Sequence, residues 1–347
     1  MSGTSPDVSV VIVNWNTASL LRQCLASVGS GAGGTCYEVV LIDNASRDGS
    51  QAMVRTEFPE VTLLANTTNR GFAAACNQGM RLARGRYILL LNSDTQLPAG
   101  TLACVVRFAD EKEDVGVVGC AARYPDGRPQ STCFRFYNLQ YFLIVALGLH
   151  RLFPRALFFN RHRYKGLDQT KVQEVDIVAG VFMLVRREAL HEVGMLDTSY
   201  FMYGEDADWC WRFCRAGWKV VFFPGAEIIH HHGASASQQR SIMERELRRS
   251  QLFFVDRAHG WPAAWLANVI LAGGDLARSP WWILQWVFRR SKRDSGPPAS
   301  QWVHLRRLLF HLGGLLQPSW RSDALSPSRG SARSEGTGRD GGGELPN

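Results

Sequence analysis

The sequence predicts an α/β fold: a mostly parallel sheet flanked by helices, followed by a C-terminal helical extension. Three observations carry that prediction. Short apolar runs alternate with helix-period segments from Val8 to Leu91. The runs are apolar on both faces, as strands covered by helices on each side must be. Polar residues then collect just after each run, beyond the carboxyl ends of the strands, where sheets of this kind hold ligands.

The elements follow in order. Val8 to Val13 is a continuous β-branched run and opens the sheet. Ser19 to Val28 has helical spacing, Glu38 to Ile42 is a second strand, Gly49 to Phe58 a helix and Val61 to Leu64 a third strand. Phe72 to Ala83 is an alanine-rich helix and Tyr87 to Leu91 a fourth strand. This β-α-β-α-β order implies a parallel sheet. Farther on, Glu174 to Val185 reads as a strand interrupted by Ala179-Gly180, Gly194 to Asp197 as a turn, Gly204 to Ala216 as a helix and Val220 to Phe223 as a strand. Between these blocks, Leu139 to Leu149 is apolar and is followed by Arg151, Arg155, Arg161, Arg163 and Lys165. That pattern suits an amphipathic segment on a membrane or a flap over the site, and equally an ordinary helix with a solvated basic face.

After residue 235 the character shifts. Gln238 to Asp256 reads as a charged helix. Trp261 to Ala272 and Trp281 to Phe288 are apolar and Trp-rich, with Arg289, Arg290, Lys292 and Arg293 following, the composition of an interfacial helix. From Arg321 the chain is rich in Ser, Gly and Arg and is expected to be disordered. The expected plan is an α/β domain over 1–235, a helical, Trp/Arg-rich, membrane-associating extension over 236–320 and a tail over 321–347.

Composition bounds the partners. The chain has 347 residues, of which 46% are apolar, so it can bury a sizeable core. A formal net charge of +8 suggests an anionic partner: nucleotide, phospholipid surface or nucleic acid. The basic residues cluster around 151–165, 240–249 and 289–307 without a recognition motif, so no nucleic-acid partner is expected. Eight cysteines include no CxxC pair. Cys210 and Cys214 lie one helical turn apart without a second close pair, so they read as buried thiols in a reducing cytosol. No signal peptide opens the chain, and no stretch reaches the roughly 20 apolar residues of a membrane span. A cytoplasmic protein, at most peripheral on the inner face of the cytoplasmic membrane, is the expectation.

The polar residues at the strand ends are Asn14 and Asn16, Asp43 and Asn44, Asn69 and Arg70, and then Asn92, Ser93 and Asp94. Turn and cap preferences explain any one of these better than all four groups together. Asp94 at a strand end can ligate Mg²⁺ or Mn²⁺, which take oxygen ligands and share them with substrate phosphates. Glu205, Asp206 and Asp208 crowd the first turn of a helix. Helix-dipole compensation and an i,i+4 pair with Arg212 account for Asp208. Glu205 and Asp206 follow the aromatic run Tyr200-Phe201-Met202-Tyr203, and apolar walls raise a carboxylate's proton affinity, which suits a general base. In His230-His231-His232, at most one or two imidazoles can face a metal near Asp94.

Seven stretches share one order with a known family: VSVVIVNWN (Val8–Asn16), EVVLIDNASRDGS (Glu38–Ser50), NRGFAAACNQG (Asn69–Gly79), YILLLNSDT (Tyr87–Thr95), VAGVFMLVRREAL (Val178–Leu190), FMYGEDADWCWR (Phe201–Arg212) and AGWKVVFFPGAEIIHHHG (Ala216–Gly233). Together they resemble the family 2 glycosyltransferases with the GT-A fold, and within them the bacterial rhamnosyltransferase-type branch. The resemblance spans residues 8 to 235. It implies that Val13, Asn14 and Asn16 line the nucleotide base, that Asp43 hydrogen-bonds it with Asn44 alongside, and that Arg70 and Asn77 lie near the nucleotide and its diphosphate. It implies that Asp94 ligates the metal, that His230 contacts metal or diphosphate with His231 as the alternative, and that Asp206 is the catalytic base. Asn92, Ser93 and Glu205 are counted with the nucleotide-sugar site. The usual DXD motif is Asn92-Ser93-Asp94 here, with one carboxylate in place of two, a form found in this branch.

The expected chemistry is a single, inverting displacement by an acceptor hydroxyl at the donor's anomeric carbon. The branch resemblance implies dTDP-rhamnose as donor, with UDP-sugars next. The acceptor is a saccharide or lipid-linked saccharide in cell-surface polysaccharide synthesis, and the cofactor Mg²⁺ or Mn²⁺. The rivals are a nucleotidyltransferase and a non-catalytic sugar-nucleotide-binding module. The first would carry a Gly-rich basic loop where Asn14-Trp15-Asn16-Thr17 stands, and the second has no need of Asp206.

Overall fold

The computed structural model describes residues 5–164, 168–231, 240–290, 299–316, 318, 320 and 321. The first elements follow the alternation seen in the sequence: β1 (Val8–Asn14), α1 (Ala18–Ala32), β2 (Tyr37–Asp43), α2 (Ser50–Glu57), β3 (Thr62–Ala65), α3 (Phe72–Leu82) and β4 (Tyr87–Asn92). β3, β2, β1 and β4 lie side by side in parallel, with Asn14 level with Asp43 and Val13 with Asn92. This register aligns the polar strand ends along one edge. Val10, Ile12, Leu89 and Leu91 are buried in one core cluster beneath them. Burial of side chains of this size contributes about 1.5–3 kcal/mol each.

Beyond β4 the sheet departs from the sequence expectation. β5 (Thr95–Gln96), α4 (Thr101–Asp110), β6 (Val115–Arg123), β7 (Pro129–Gln130) and β8 (Cys133–Phe134) fill a stretch with no foreseen element. β6 is a buried central strand whose two glycines weaken its β signal. They have a packing reason: a Cβ on Gly119 would lie 2.4 Å from Val178 Cγ1. The strand expected over Glu174 to Val185 is three strands with different partners. β9 (Gln173–Glu174) joins the sheet, β10 (Ile177–Val178) pairs with β8, and β11 (Phe182–Arg186) runs antiparallel between β4 and β6. α7 (Arg187–Val193) and α8 (Glu205–Arg215) follow. The short strand expected at Val220 to Phe223 is the 12-residue β12 (Lys219–His230), with an irregularity between Phe223 and Glu227. It therefore carries His230 into the sheet, opposite Thr95 of β5.

α5 (Leu139–Ala146), α6 (Leu149–Leu152) and a 3-10 turn (Phe158–Arg163) form the segment before β9. Then come α9 (Arg240–His259), α10 (Trp261–Arg290) and α11 (Ala299–Leu316). The two Trp-rich runs are one helix, α10, with Pro280 inside it. Ala264, Ala267 and Leu271 of α10 share a core cluster with Trp209 of α8 and Met183 of β11, so the extension packs on the α/β layer. Trp261, Trp265, Leu266 and Leu276 stay exposed. The boundary expected at 235/236, Lys165, His232, Lys292, Arg293 and residues 322–347 of the expected tail lie outside the described residues. Arg321, placed at the tail's start, is held by Asp256 of α9 through hydrogen bonds of 2.5 and 2.8 Å. Cys210 is buried as expected, whereas Cys214 is exposed. No helix among the described residues is long and apolar enough to cross a membrane.

Candidate active site

Asn14 ends β1 fully buried, and a buried amide must spend its hydrogen bonds. Its Nδ2 donates to Asp43 Oδ2 and Ser46 Oγ at 3.0 Å each. Its Oδ1 accepts from Thr17 Oγ1 at 2.6 Å, and Thr17 Oγ1 lies 2.9 Å from Ser93 Oγ. With Thr17's proton on Asn14, Ser93 is the donor in that last bond. Asp43 Oδ1 further accepts from Ser46 N and Gln51 Nε2 at 2.9 and 2.8 Å. A polar lattice thus locks the ends of β2, β1 and β4. Asn44 extends it, with Nδ2 donating to Asn69 Oδ1 and Oδ1 accepting from the Arg70 backbone N–H, at 2.8 and 3.0 Å.

A cleft of about 1900 Å³ opens above this edge. Of the residues picked out in the sequence at the strand ends and the acidic helix start, Val13, Asn44, Asn69, Asn92, Ser93, Asp94, Glu205 and Asp206 line it, as does His230. Asn14, Asn16, Asp43, Arg70 and Asn77 do not. Asn14 and Asp43 lie beneath the wall, in the lattice just described. Asn16 is a turn residue at φ +52° whose Oδ1 accepts from Arg47 N at 2.7 Å. Arg70 has an exposed side chain. Asn77 uses both amide atoms on the backbone of Leu196, at 2.8 and 3.1 Å. It holds the 194–197 turn rather than facing the cleft.

Asp94 and His230 meet. His230 Nε2 lies 3.2 Å from Asp94 Oδ1. On the other side of the ring, Nδ1 lies 2.8 Å from Gln130 Oε1, which holds the imidazole in place. Nε2 and the Asp94 carboxylate thus face each other, an imidazole nitrogen and an oxygen placed to ligate one divalent cation. This donor set fits Mg²⁺ or Mn²⁺. Among the described residues no group of three or more His, Cys, Asp and Glu converges, so phosphate oxygens and water would complete the shell. His231 instead faces Gln96, with Nε2 3.2 Å from its amide nitrogen.

Asp206 stands in the first turn of α8. Tyr203 at φ +68° and Gly204 at φ +82° turn the chain into that helix. A left-handed tyrosine costs energy and marks a position the fold over-determines. Asp206 Oδ1 accepts from Ala207 N at 2.8 Å and Oδ2 from Gly180 N at 3.3 Å. The next residue, Val181, accepts from Asn92 N through its carbonyl at 3.1 Å. Neighbouring residues of one segment thus tie Asp206 to the strand end that leads to Asp94. Gly71 closes the site from α3: a Cβ there would meet Phe201 O at 2.5 Å.

Burial raises the proton affinity of both carboxylates in the pair. Glu205 is pushed well above the carboxylate range by burial and then by the charge of Asp206. Asp206 is raised by burial, while the Ala207 and Gly180 N–H groups pull it back. Glu205 is therefore the member that keeps its proton, and Asp206 the one that ionises first. Asp208 pairs with Arg212 at 2.8 Å, as its spacing suggested. Trp15, Gln130, Tyr137 and Tyr141 also line the cleft and were not singled out in the sequence. Gln130 sits on a two-residue strand, which leaves no periodic signal.

A model of the family described as Glycosyl transferase family 2 matches residues 9–194, more than half of the chain. The N-acetylglucosaminyl-diphospho-decaprenol L-rhamnosyltransferase of Mycobacterium tuberculosis is 29% identical over 303 residues, covering 82% of this chain and 95% of the relative. A PGL/p-HBAD biosynthesis glycosyltransferase of Mycobacterium bovis is 33% identical over 164 residues, covering 45% of this chain and 60% of the relative. Among solved structures, a mannosyltransferase from Pyrobaculum calidifontis in complex with GDP-Man and Mn²⁺ superposes with a TM-score of 0.55 at 20% identity, covering 91% of this chain and 88% of that one. That likeness concerns the fold.

Proposed function

The chain belongs to the family 2 glycosyl transferases, and on that premise we propose an inverting transfer of rhamnose from dTDP-rhamnose to a lipid-linked saccharide in cell-surface polysaccharide synthesis. UDP-sugars are the second donor class. The observation that carries the proposal is the bridge by which Gly180 and Val181 join Asp206 to the strand end bearing Asp94. A base and a pair suited to hold a cation then serve one sugar carbon. The rhamnosyltransferase named above supports both the donor sugar and a lipid-linked acceptor.

In this reading Asp206 takes the proton of an acceptor hydroxyl. The oxygen forms a bond to the anomeric carbon as the bond from that carbon to the diphosphate breaks. One displacement inverts the centre, through a transition state with positive charge on the sugar ring. Bound between Asp94 and His230, Mg²⁺ or Mn²⁺ would neutralise the departing diphosphate. Gln130 holds the His230 ring, and the lattice around Asn14 keeps the cleft floor rigid. The exposed side chains of Leu152, Phe153, Leu157 and Phe158, beside Arg151 and Arg155, support contact with the membrane that carries such an acceptor.

A thermal-shift screen of dTDP-, UDP- and GDP-sugars with Mg²⁺ or Mn²⁺ tests the donor. Ligand at about a hundred times its Kd stabilises by about 2.7 kcal/mol. A metal-dependent shift with dTDP-rhamnose is expected. Equal shifts with every nucleotide, or a shift confined to GDP-sugars, would contradict the assignment.

A further inference from the structure

Past Asp206 the cleft runs along an aromatic wall. The Tyr137 and Tyr141 rings lie 5.3 Å apart, centre to centre. His162 lies 5.0 Å from the first and 4.3 Å from the second. Burial pushes the Tyr137 hydroxyl up, and the nearby charges of Tyr141 and Asp206 add to it, so the wall begins within electrostatic reach of the base.

The wall ends in cations. Tyr141 Oη accepts from Gln251 Nε2 at 2.9 Å, and Gln251 Oε1 accepts from Arg248 at 2.9 Å, which fixes that guanidinium on α9 beside the wall. Arg163 follows His162, and Arg151 follows His150 in α6. Burial, then the charges of Arg151, Arg163 and Arg248, push the His150 imidazole below its usual range, against a backbone hydrogen bond with Ile144 that raises it. Burial pushes His162 down to about 4. Both histidines are therefore neutral near pH 7, and the Nδ1 atom of each is buried without a hydrogen bond. Arg151, Arg161, Arg163 and Arg248 all line the cleft, with the carboxylate of Glu244 on the same rim. Leu147, Leu152 and Phe158 line the same cleft and are exposed by 56, 69 and 54%, so they form its open mouth.

The sequence of surfaces is thus base, aromatic rings, cations and exposed apolar side chains. The anion it fits is distinct from the donor's diphosphate, which belongs with Asp94 and His230 at the strand ends. We propose that this stretch is an acceptor subsite for a saccharide diphosphate carried on a lipid. Tyr137 and Tyr141 take the sugar, Arg151, Arg163 and Arg248 take the diphosphate, and Leu147, Leu152 and Phe158 take the start of the lipid chain. The chemistry is complementary at each step: sugar faces stack on aromatic rings, guanidinia bind phosphate bidentately, and a chain anchored there must leave through the apolar mouth. The proposal rests on the glycosyl-transfer reading and adds to it how the acceptor is recognised.

The test uses the full chain and two acceptors: a short-chain prenyl diphosphate saccharide and the same saccharide as a neutral alkyl glycoside. In the variant Arg151→Gln/Arg163→Gln/Arg248→Gln, the preference for the diphosphate acceptor is expected to fall at least tenfold, through KM. An unchanged preference, or an equal rise of both KM values, would overturn the subsite. Calorimetric binding of the prenyl diphosphate saccharide without donor decides the matter if no donor is turned over, since that failure would count against the transfer reading alone. Weaker binding by tenfold or more is expected, and unaltered binding overturns the proposal. Sedimentation with phosphatidylglycerol vesicles lacking acceptor separates a headgroup surface from a subsite. If vesicle binding falls as far as acceptor binding does, the cluster is a membrane surface and the proposal is wrong. Should the triple variant fail to fold, Arg163→Gln alone, at an exposed position, carries the same readings.

Discussion

On the proposed donor side of the cleft, Asn14, Thr17, Asp43 and Asn44 spend their polar atoms on one another and on neighbouring loops. On the proposed acceptor side, Glu205 Oε2 and the Nδ1 atoms of His150 and His162 are buried without a hydrogen bond. A buried polar atom left without a partner costs about 1–3 kcal/mol, so a fold keeps such atoms where a ligand or a proton will use them. The lattice at the strand ends is finished before any ligand arrives and offers a rigid edge, although Thr95 Oγ1 and Gln130 Nε2 next to it are buried without a hydrogen bond. The other side is completed by what binds there.

The largest effect that can break this division is at the base. Asp206→Asn is expected to lower kcat by about 10²–10⁴-fold, the usual contribution of a positioned base, with nucleotide affinity retained. Steady-state kinetics with calorimetry of nucleotide binding would show it, and near-normal turnover would remove Asp206 from its role. Next comes the support of the donor side. Gln130→Ala frees the His230 ring and is expected to weaken Mn²⁺ binding about 10–100-fold, read by electron paramagnetic resonance of the free ion. Unaltered Mn²⁺ affinity would show that the ring needs no such support.

Stability sharpens the comparison. Asn14→Ala leaves Asp43 and Thr17 each short of a partner and is expected to cost about 1–3 kcal/mol in chemical denaturation. Glu205→Gln should act in the opposite direction. Burial and Asp206 raise Glu205 in the folded state above its unfolded value. The stability it contributes is then fully present below the unfolded pKa of about 4.3 and is lost as pH rises toward the folded value. The glutamine variant should melt higher than the parent at pH 8 and show no gain at pH 4. The reverse order would mean that Glu205 is ionised in the fold. The same burial of Asp206 moves the acid limb of kcat/KM above the usual aspartate value of about 3.9, with activity falling as pH falls through it.

The sequence made the proposed donor side legible because short apolar runs and period-3.6 segments alternate there without interruption. Val8 to Leu91 yields four parallel strands whose ends carry the polar residues. The partners of those residues were another matter. Asp43 looks like a ligand contact in one dimension, and in three its carboxylate also accepts hydrogen bonds from Asn14, Ser46 and Gln51 that tie it into the strand-end lattice. Asn77 likewise proves to hold Leu196, a partner more than a hundred residues away, which no local pattern reports. β6 was hidden by glycines that close packing against Val178 requires. The acceptor side was hidden more deeply. Gln130, Tyr137 and Arg248 come from a two-residue strand, a loop and a late helix, and they line one cleft only because β7 pairs with β6 while α5 and α9 both pack on α10. Asp206 was legible because carboxylates crowd one helix start after an aromatic run, a local signal with a physical cause.

If the Asp94–His230 pair and Asp206 act on one sugar carbon, a crystal structure of Asp206→Asn soaked with Mn²⁺ and intact nucleotide sugar will show it. Mn²⁺ is expected on Asp94 Oδ1 and His230 Nε2, with the anomeric carbon in the space between that ion and residue 206. Mn²⁺ bound elsewhere, or a sugar turned away from residue 206 with the metal in place, would contradict it.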